Sequence, residues 1–206
     1  MIHPEIHENR PLILASASPR RKALLRQIGL PFRALPSGVD EQGSSGDPDD
    51  LAVRLSLRKA REVCLKAPAS WILGADTLVV VGRRVLGKPL DAEEARAMLR
   101  LLSGTEHRVV TGFCILDPEG NQAACRAVST RVRFRVLETA EIKGYVASGE
   151  PFGKAGAYAI QGIGAFMVES ISGSYTNVVG LPVCAVVSSL LAAGALQTFP
   201  LPTASG

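Results

Sequence analysis

The chain has 206 residues, 47% hydrophobic and 20% charged, with 23 basic side chains against 19 acidic ones and a net charge of +4. That length suits one domain or two closely joined lobes, and it buries a core without disulfides or structural metals. Aromatic residues make up only 5%, which argues against a nucleic-acid binder built on stacking platforms. No stretch reaches the roughly 18 apolar residues of a membrane span, and residues 1–10 hold no apolar signal segment, so the cytoplasm is the expected location. Order begins at the apolar run Leu12, Ile13, Leu14, which reads as a buried strand. Ser18 caps and Pro19 opens a helix over residues 19–28, with Leu24, Leu25 and Ile28 as its stripe and Gly29 as its end. Residues 36–48 read as a loop. A second helix is expected over 49–66, carrying Arg54, Arg58, Lys59 and Arg61. A strand starts at Trp71 and ends near Gly74. Asp76 and Thr77 follow it, and an extended run resumes over 78–81 before a turn at 82–84.

The third helix has clear ends: Asp91 caps it, Glu94 completes a capping-box pattern, and Gly104 stands just past Leu102. Residues 108–116 and 126–136 read as paired strands around a turn at 117–120. Strict alternation puts Arg131, Arg133 and Arg135 on one side, read as a solvated face. A helix over 138–148, a glycine-rich run over 153–164, a strand over 165–168, a loop over 173–177 and a final helix over 182–193 complete the chain. Interspersed strands and helices predict a mixed α/β architecture. The expected organisation is a flexible N-terminal extension (1–10), a single domain (11–194) and a flexible tail (195–206). The four cysteines, Cys64, Cys114, Cys125 and Cys184, form no C-x-x-C pair and are expected as reduced thiols. Cys114 and Cys125 flank the turn at 117–120, but the sequence assigns no disulfide.

Several segments carry chemistry. A helix start offers free N–H groups and a dipole that attract anions, and Arg20 and Arg21 in that first turn are unfavourable unless an anion sits there. Ser16 and Ser18 add hydroxyl donors, and an arginine holds phosphate bidentately. Asp76 is an acid inside a run as apolar as residues 72–81, where a carboxylate needs a partner; it suits a general base or a hard metal ligand. Lys59 and Lys88 offer point charges to a polyphosphate. Gln161, within the glycine-rich run, both donates and accepts and suits the edge of a base. No serine elbow, zinc cluster or activated cysteine competes with this set.

These segments resemble the Maf family. The resemblance rests on Ser16-Ala17-Ser18-Pro19-Arg20-Arg21, Leu73-Gly74-Ala75-Asp76-Thr77, Gly87-Lys88-Pro89, Ser103-Gly104 with His107, Gly149-Glu150-Pro151, the segment from Lys154 to Gly162, and Asn177 to Pro182, all in family order. It implies an α/β fold like that of the inosine-triphosphate pyrophosphatases, a mixed sheet with flanking helices and two lobes around a central cleft, often as a homodimer. It implies hydrolysis of a nucleoside triphosphate to the monophosphate and pyrophosphate with Mg²⁺ or Mn²⁺, and neither nucleic acid nor membrane as partner. By the same resemblance Asp76 is the proton acceptor, and Asp76 and Glu41 are metal ligands. Ser16, Arg21, Lys59 and Lys88 contact phosphate, and Arg20, Thr77 and Gln161 set specificity. Thr77 and Gln161 match the subgroup acting on dTTP, UTP and modified pyrimidine nucleotides. The alternatives are the 7-methyl-GTP pyrophosphatases of the same family and a nucleotide-binding regulator of cell division without turnover.

Overall fold

The computed structural model describes residues 5–39 and 46–201. In chain order they form β1 (Leu12–Leu14), α1 (Pro19–Gln27), β2 (Phe32–Ala34), α2 (Pro48–Cys64), β3 (Ile72–Val81), β4 (Arg84–Leu86), α3 (Ala92–Leu102), β5 (Glu106–Leu116), β6 (Gln122–Phe134), α4 (Thr139–Ala147), β7 (Val168–Ser172), α5 (Tyr175–Val179) and α6 (Val183–Ala192). Short 3-10 turns at Ala155–Ala157 and Ile163–Met167 precede β7. The strands join in one mixed sheet in the order β2-β1-β3-β5-β6-β7, with β4 paired to β3. This is the mixed α/β architecture that the sequence pattern predicts and the mixed sheet with flanking helices that the resemblance implies. The contacts divide the chain into two compact units: residues up to 76, 111–128 and from 180 onward in the first, and 77–110 and 129–179 in the second.

In the first unit β1 pairs in parallel with β2 on one side and with β3 on the other, Leu14 standing opposite both Ala34 and Leu73. Parallel neighbours need crossover connections, and α1 and α2 supply them. Ser18 caps α1 by accepting from Arg21 N–H at 3.4 Å, and Asp47 caps α2 by accepting from Asp49 N–H at 3.0 Å. The buried stripe of α2 runs Leu51, Ala52, Leu55, Ser56, Lys59, Ala60, Val63, so a cation shares the apolar face. Ile13, Ala15, Ala60, Val63, Ile72 and Leu116 form a core cluster. Two glycines let α2 approach the sheet. A Cβ on Gly74 would lie 2.1 Å from the Ser56 carbonyl oxygen, and one on Gly112 would lie 2.2 Å from the Ala52 carbonyl carbon. Near the chain ends, Ile6 is buried and its N–H donates to the Ala195 carbonyl. Cys114 and Cys125, on neighbouring strands with Cα atoms 4.1 Å apart, form a disulfide, which corrects the reading of all four cysteines as reduced thiols. Cys64 and Cys184 are free thiols.

In the second unit the latter part of β3 turns at Gly82 and pairs antiparallel with β4, and β6 pairs antiparallel with β7. Helix α3 has the expected cap, Asp91 accepting from Glu94 N–H at 2.8 Å, but the Glu94 carboxylate accepts from Leu90 N–H at 2.8 Å, one residue before the cap, so the capping box does not close on Asp91 itself. Leu99, Leu102, Val132, Phe134 and Met167 lie in its core cluster. The arginine row of β6 is a solvated face: Arg133 pairs with Glu169 at 3.2 Å and Arg135 with Glu141 at 2.5 Å. Two local expectations change. The strand expected at 165–168 starts only at Val168, because the glycine-rich run closes in a 3-10 turn over Ile163–Met167. The expected loop at 173–177 holds α5, whose Asn177 N–H is capped by Ser174 Oγ at 3.2 Å. No helix among the described residues is long and apolar enough to cross a membrane.

Candidate active site

The order β2-β1-β3 places the first strand between the second and third, so the chain leaves β1 to one side and later crosses to the other. Ligands of open α/β sheets bind beyond the carboxyl ends of strands at such a reversal. The segment Ser16 to Arg21 lies at that end of β1. Ala15 N–H donates to the Leu73 carbonyl at 2.8 Å, which ties the segment to β3 just before Gly74 and Asp76.

Here the fold makes two polar pairs inside the first unit. Lys59 Nζ donates to Asp76 Oδ1 at 2.5 Å, and the two side chains are only 8% and 7% exposed. Neither charge stays buried at low cost alone, and each offsets the desolvation of the other. Arg21 is also buried; its Nε donates to the Gly180 carbonyl at 2.8 Å and its Nη1 to Ser16 Oγ at 3.0 Å. Ser16 Oγ also accepts from Ser18 N–H at 3.2 Å. Arg20 is half-buried in the first turn of α1. The first unit thus carries one buried cation on the Asp76 carboxylate and two more, Arg20 and Arg21, in the first turn of α1, a charge balance suited to a polyanion.

The remaining candidates belong to the second unit. Thr77 is half-buried inside β3, which runs unbroken through Asp76 and Thr77 rather than pausing there. Lys88 is exposed just after β4, where the Gly87 carbonyl accepts from Gly156 N–H at 3.0 Å. Gln161 is exposed in the turn before Ile163. Glu41 lies outside the described residues.

Sequence reasoning attached no role to the groups that fix the Gln161 segment. His107 Nε2 contacts Tyr158 Oη at 2.9 Å, with the Phe134 ring edge-on to both. Burial pushes the His107 imidazole down to about 4 and pushes the Tyr158 phenol up. Tyr145 Oη accepts from Ala159 N–H at 3.2 Å, and Glu150 accepts from the N–H groups of Ile163 and Gly164 at 3.0 and 2.8 Å. Burial opposes the charge of Glu150, but Gly164 N–H, the Tyr145 hydroxyl, Ile163 N–H and Lys154 outweigh it and hold the carboxyl below the usual glutamate range. An acid directly before a glycine-rich run was the available clue.

Comparison with known proteins agrees along almost the whole chain. A "dTTP/UTP pyrophosphatase" of Syntrophotalea carbinolica is 50% identical over 199 residues, covering 95% of this chain and 90% of the relative. A "dTTP/UTP pyrophosphatase" of Geobacter sp. strain M21 is 50% identical over 190 residues, covering 92% and 98%. One from Ruminiclostridium cellulolyticum is 51% identical over 175 residues, covering 84% and 91%. Among solved structures, a nucleoside-triphosphatase (dITP/XTP pyrophosphatase) of Mycobacterium abscessus matches 60% of this chain and 74% of its own at 18% identity and a TM-score of 0.41. The family model described as Maf-like protein matches residues 11–193, which take in every segment of the site just described, and the chain belongs to that family.

Proposed function

We propose that the protein is a nucleoside triphosphate pyrophosphatase that hydrolyses dTTP and UTP, and related modified pyrimidine nucleotides, to the monophosphate and pyrophosphate. The observation that carries this reading is the buried Lys59–Asp76 pair beside the cationic end of β1. The names of relatives half identical to this chain supply the substrate class, and Thr77 and Gln161 favour pyrimidines over 7-methyl-GTP.

Asp76 is the general base. In the absence of substrate its carboxylate is occupied by Lys59. An arriving triphosphate brings more negative charge than one carboxylate, and Lys59 turns to the phosphates. Asp76 then accepts the proton of the water that attacks the α phosphorus, in line with departing pyrophosphate. Lys59, Arg21 and Lys88 stabilise the charge that collects on the leaving group, and Arg20 and Thr77 set specificity. Arg21 and Ser16, tied to each other and to Gly180, hold the phosphate-binding segment in shape. Gln161 meets the base through a carboxamide that both donates and accepts.

A hard oxygen donor such as Asp76 fits Mg²⁺ or Mn²⁺, which bind through one or two carboxylates together with substrate phosphates. Asp76 and Glu41 would hold the ion, and once bound it supplies positive charge against the phosphate oxygens. The cytoplasm and a homodimeric state belong to the same reading.

The test is direct. With dTTP and Mg²⁺ the protein yields dTMP and pyrophosphate, and Asp76→Asn lowers turnover at least about a hundredfold while still folding. Binding of dTTP without product would point instead to a nucleotide-sensing regulator, and near-normal turnover in folded Asp76→Asn would remove Asp76 from the chemistry.

A further inference from the structure

Gln161 stands between two anchored stretches of backbone. On one side Tyr158 is held by His107 and Ala159 N–H by the Tyr145 hydroxyl. On the other side Ile163 N–H and Gly164 N–H both end on the Glu150 carboxylate. Between these anchors lie Ile160, Gln161 and Gly162. Tyr145 belongs to α4 and Glu150 follows it by five residues, and the Tyr145 hydroxyl also donates to the Glu150 carboxylate. One helix end therefore governs both sides of the segment.

Gly162 is what lets Glu150 come so close. A Cβ at that position would lie 1.8 Å from Glu150 Oε1, so an alanine there would push the carboxylate off its seat. Gly164 is similarly confined: a Cβ there would lie 2.8 Å from the Tyr145 hydroxyl and 2.7 Å from the Ala159 carbonyl oxygen. The two glycines and the carboxylate form one fitted unit. A carboxylate that receives two neighbouring N–H groups is a stronger tether than a neutral acceptor, because charge-assisted hydrogen bonds are about twice as strong.

The chemistry of base reading requires such a tether. A carboxamide pairs with the edge of thymine or uracil by donating to one oxygen and accepting from the ring N–H. Rotated by half a turn, the same carboxamide satisfies cytosine, which offers an acceptor and a donor in exchanged places. A glutamine therefore tolerates either base. That half turn is a side-chain torsion that no backbone anchor prevents; what the anchors fix is the distance and direction from which the carboxamide meets the base, and so whether a larger purine is admitted.

We propose that Glu150 is a specificity-positioning residue, its carboxylate seated on the N–H groups of Ile163 and Gly164 so that Gln161 meets the pyrimidine edge from one fixed position. This rests on the proposed reading of Gln161 as the base-contacting residue. Glu150 itself touches no substrate.

The readout is the ratio of kcat/KM for dTTP to that for dGTP, whose larger base needs the segment to give way, with thermal melting as the control for folding. Glu150→Gln keeps the shape but can accept only one of the two N–H groups and turns a donor toward the other. It is expected to lower the ratio about tenfold. Tyr145→Phe, which removes only the hydroxyl, and Gly162→Ala, which crowds the carboxylate from the opposite side, shift it in the same direction. Combined with Gln161→Ala, Glu150→Gln adds no further loss of selectivity, because both act through one carboxamide. A purely structural role for Glu150 would depress both substrates equally and add to Gln161→Ala, and that outcome overturns the inference. A lowered ratio in Gln161→Ala with wild-type ratios in folded Glu150→Gln and Tyr145→Phe overturns it alone. A wild-type ratio near one, or an unchanged ratio in Gln161→Ala, removes the base-contacting role of Gln161 and the positioning role with it.

Discussion

Replacing Gly74 with Ala tests whether the depth of α2 sets the site. The added Cβ would stand 2.1 Å from the Ser56 carbonyl oxygen and 2.9 Å from Ala60 N, where real Cβ contacts stay at or beyond 3.0 Å. Both obstacles are helix backbone, so no side-chain rotation relieves them and α2 must retreat by about 1 Å. Overpacking of this kind costs about 1–3 kcal/mol, and backbone on two sides puts Gly74→Ala at the upper end. For a chain of this size about 3 kcal/mol lowers the melting temperature by roughly 6–12 °C. Lys59 follows Ser56 by three residues and precedes Ala60, so the retreat acts on the residue that holds Asp76 at 2.5 Å. Misplacement by about 1 Å costs up to about a hundredfold in rate, and turnover of dTTP should fall at least about tenfold. Differential scanning calorimetry and a pyrophosphate-release assay on the same preparation measure both effects. A Gly74→Ala protein that melts like the wild type and turns over within about twofold of it would refute the claim that close helix–strand packing positions the pair. Gly112→Ala, which meets α2 at Ala52 and Val53, should show the same loss of stability.

Arg21→Lys keeps the charge but brings one nitrogen in place of the two that serve Gly180 and Ser16, so it should lose about 2 kcal/mol in urea denaturation and raise KM for dTTP; wild-type values in both would refute the pairing. His107 stays neutral in the fold down to about pH 4, whereas unfolded histidine takes up a proton near 6.5. Its folded value is the lower one, so its contribution is complete above about pH 6.5 and is lost, on the order of 3 kcal/mol, as pH falls toward 4. A resonance assigned to the His107 imidazole that titrates near 6.5 in the folded protein would contradict this. Under air, the unfolded chain should expose two titratable thiols, Cys64 and Cys184, and four after reduction. Cys125→Ser should lose up to about 3 kcal/mol under oxidising conditions and little in excess reductant, as expected for opening a loop of sequence separation 11.

Local chemistry was legible in the chain itself. Ser18 and Pro19 start α1, Asp91 and Glu94 start α3, and alternation in β6 sends its arginines to solvent, because caps and periodicities depend on residues a few positions apart. Asp76 stood out as an acid in an apolar run, whereas Lys59 read only as one of four basic residues of the second helix, and its place on the buried stripe of α2 is seen only in the fold. That the two bond to each other could not be read, since 17 residues separate them and the bond depends on how far α2 sinks against Gly74. Arg21 looked like a helix-start cation open to an anion, and only the folded chain brings it to the carbonyl of Gly180, 159 residues away. The disulfide follows from the neighbouring of β5 and β6, and α5 from a cap by Ser174 that a loop composition concealed. Sequence by itself determined which residue types stand at the ends of which elements, because hydrogen bonding and side-chain period act over one or two turns. Only the tertiary structure decided which of those residues are partners, because pairing of buried charges, and the grip of Glu150 on Ile163 and Gly164, depends on backbones meeting at distances that glycine alone permits.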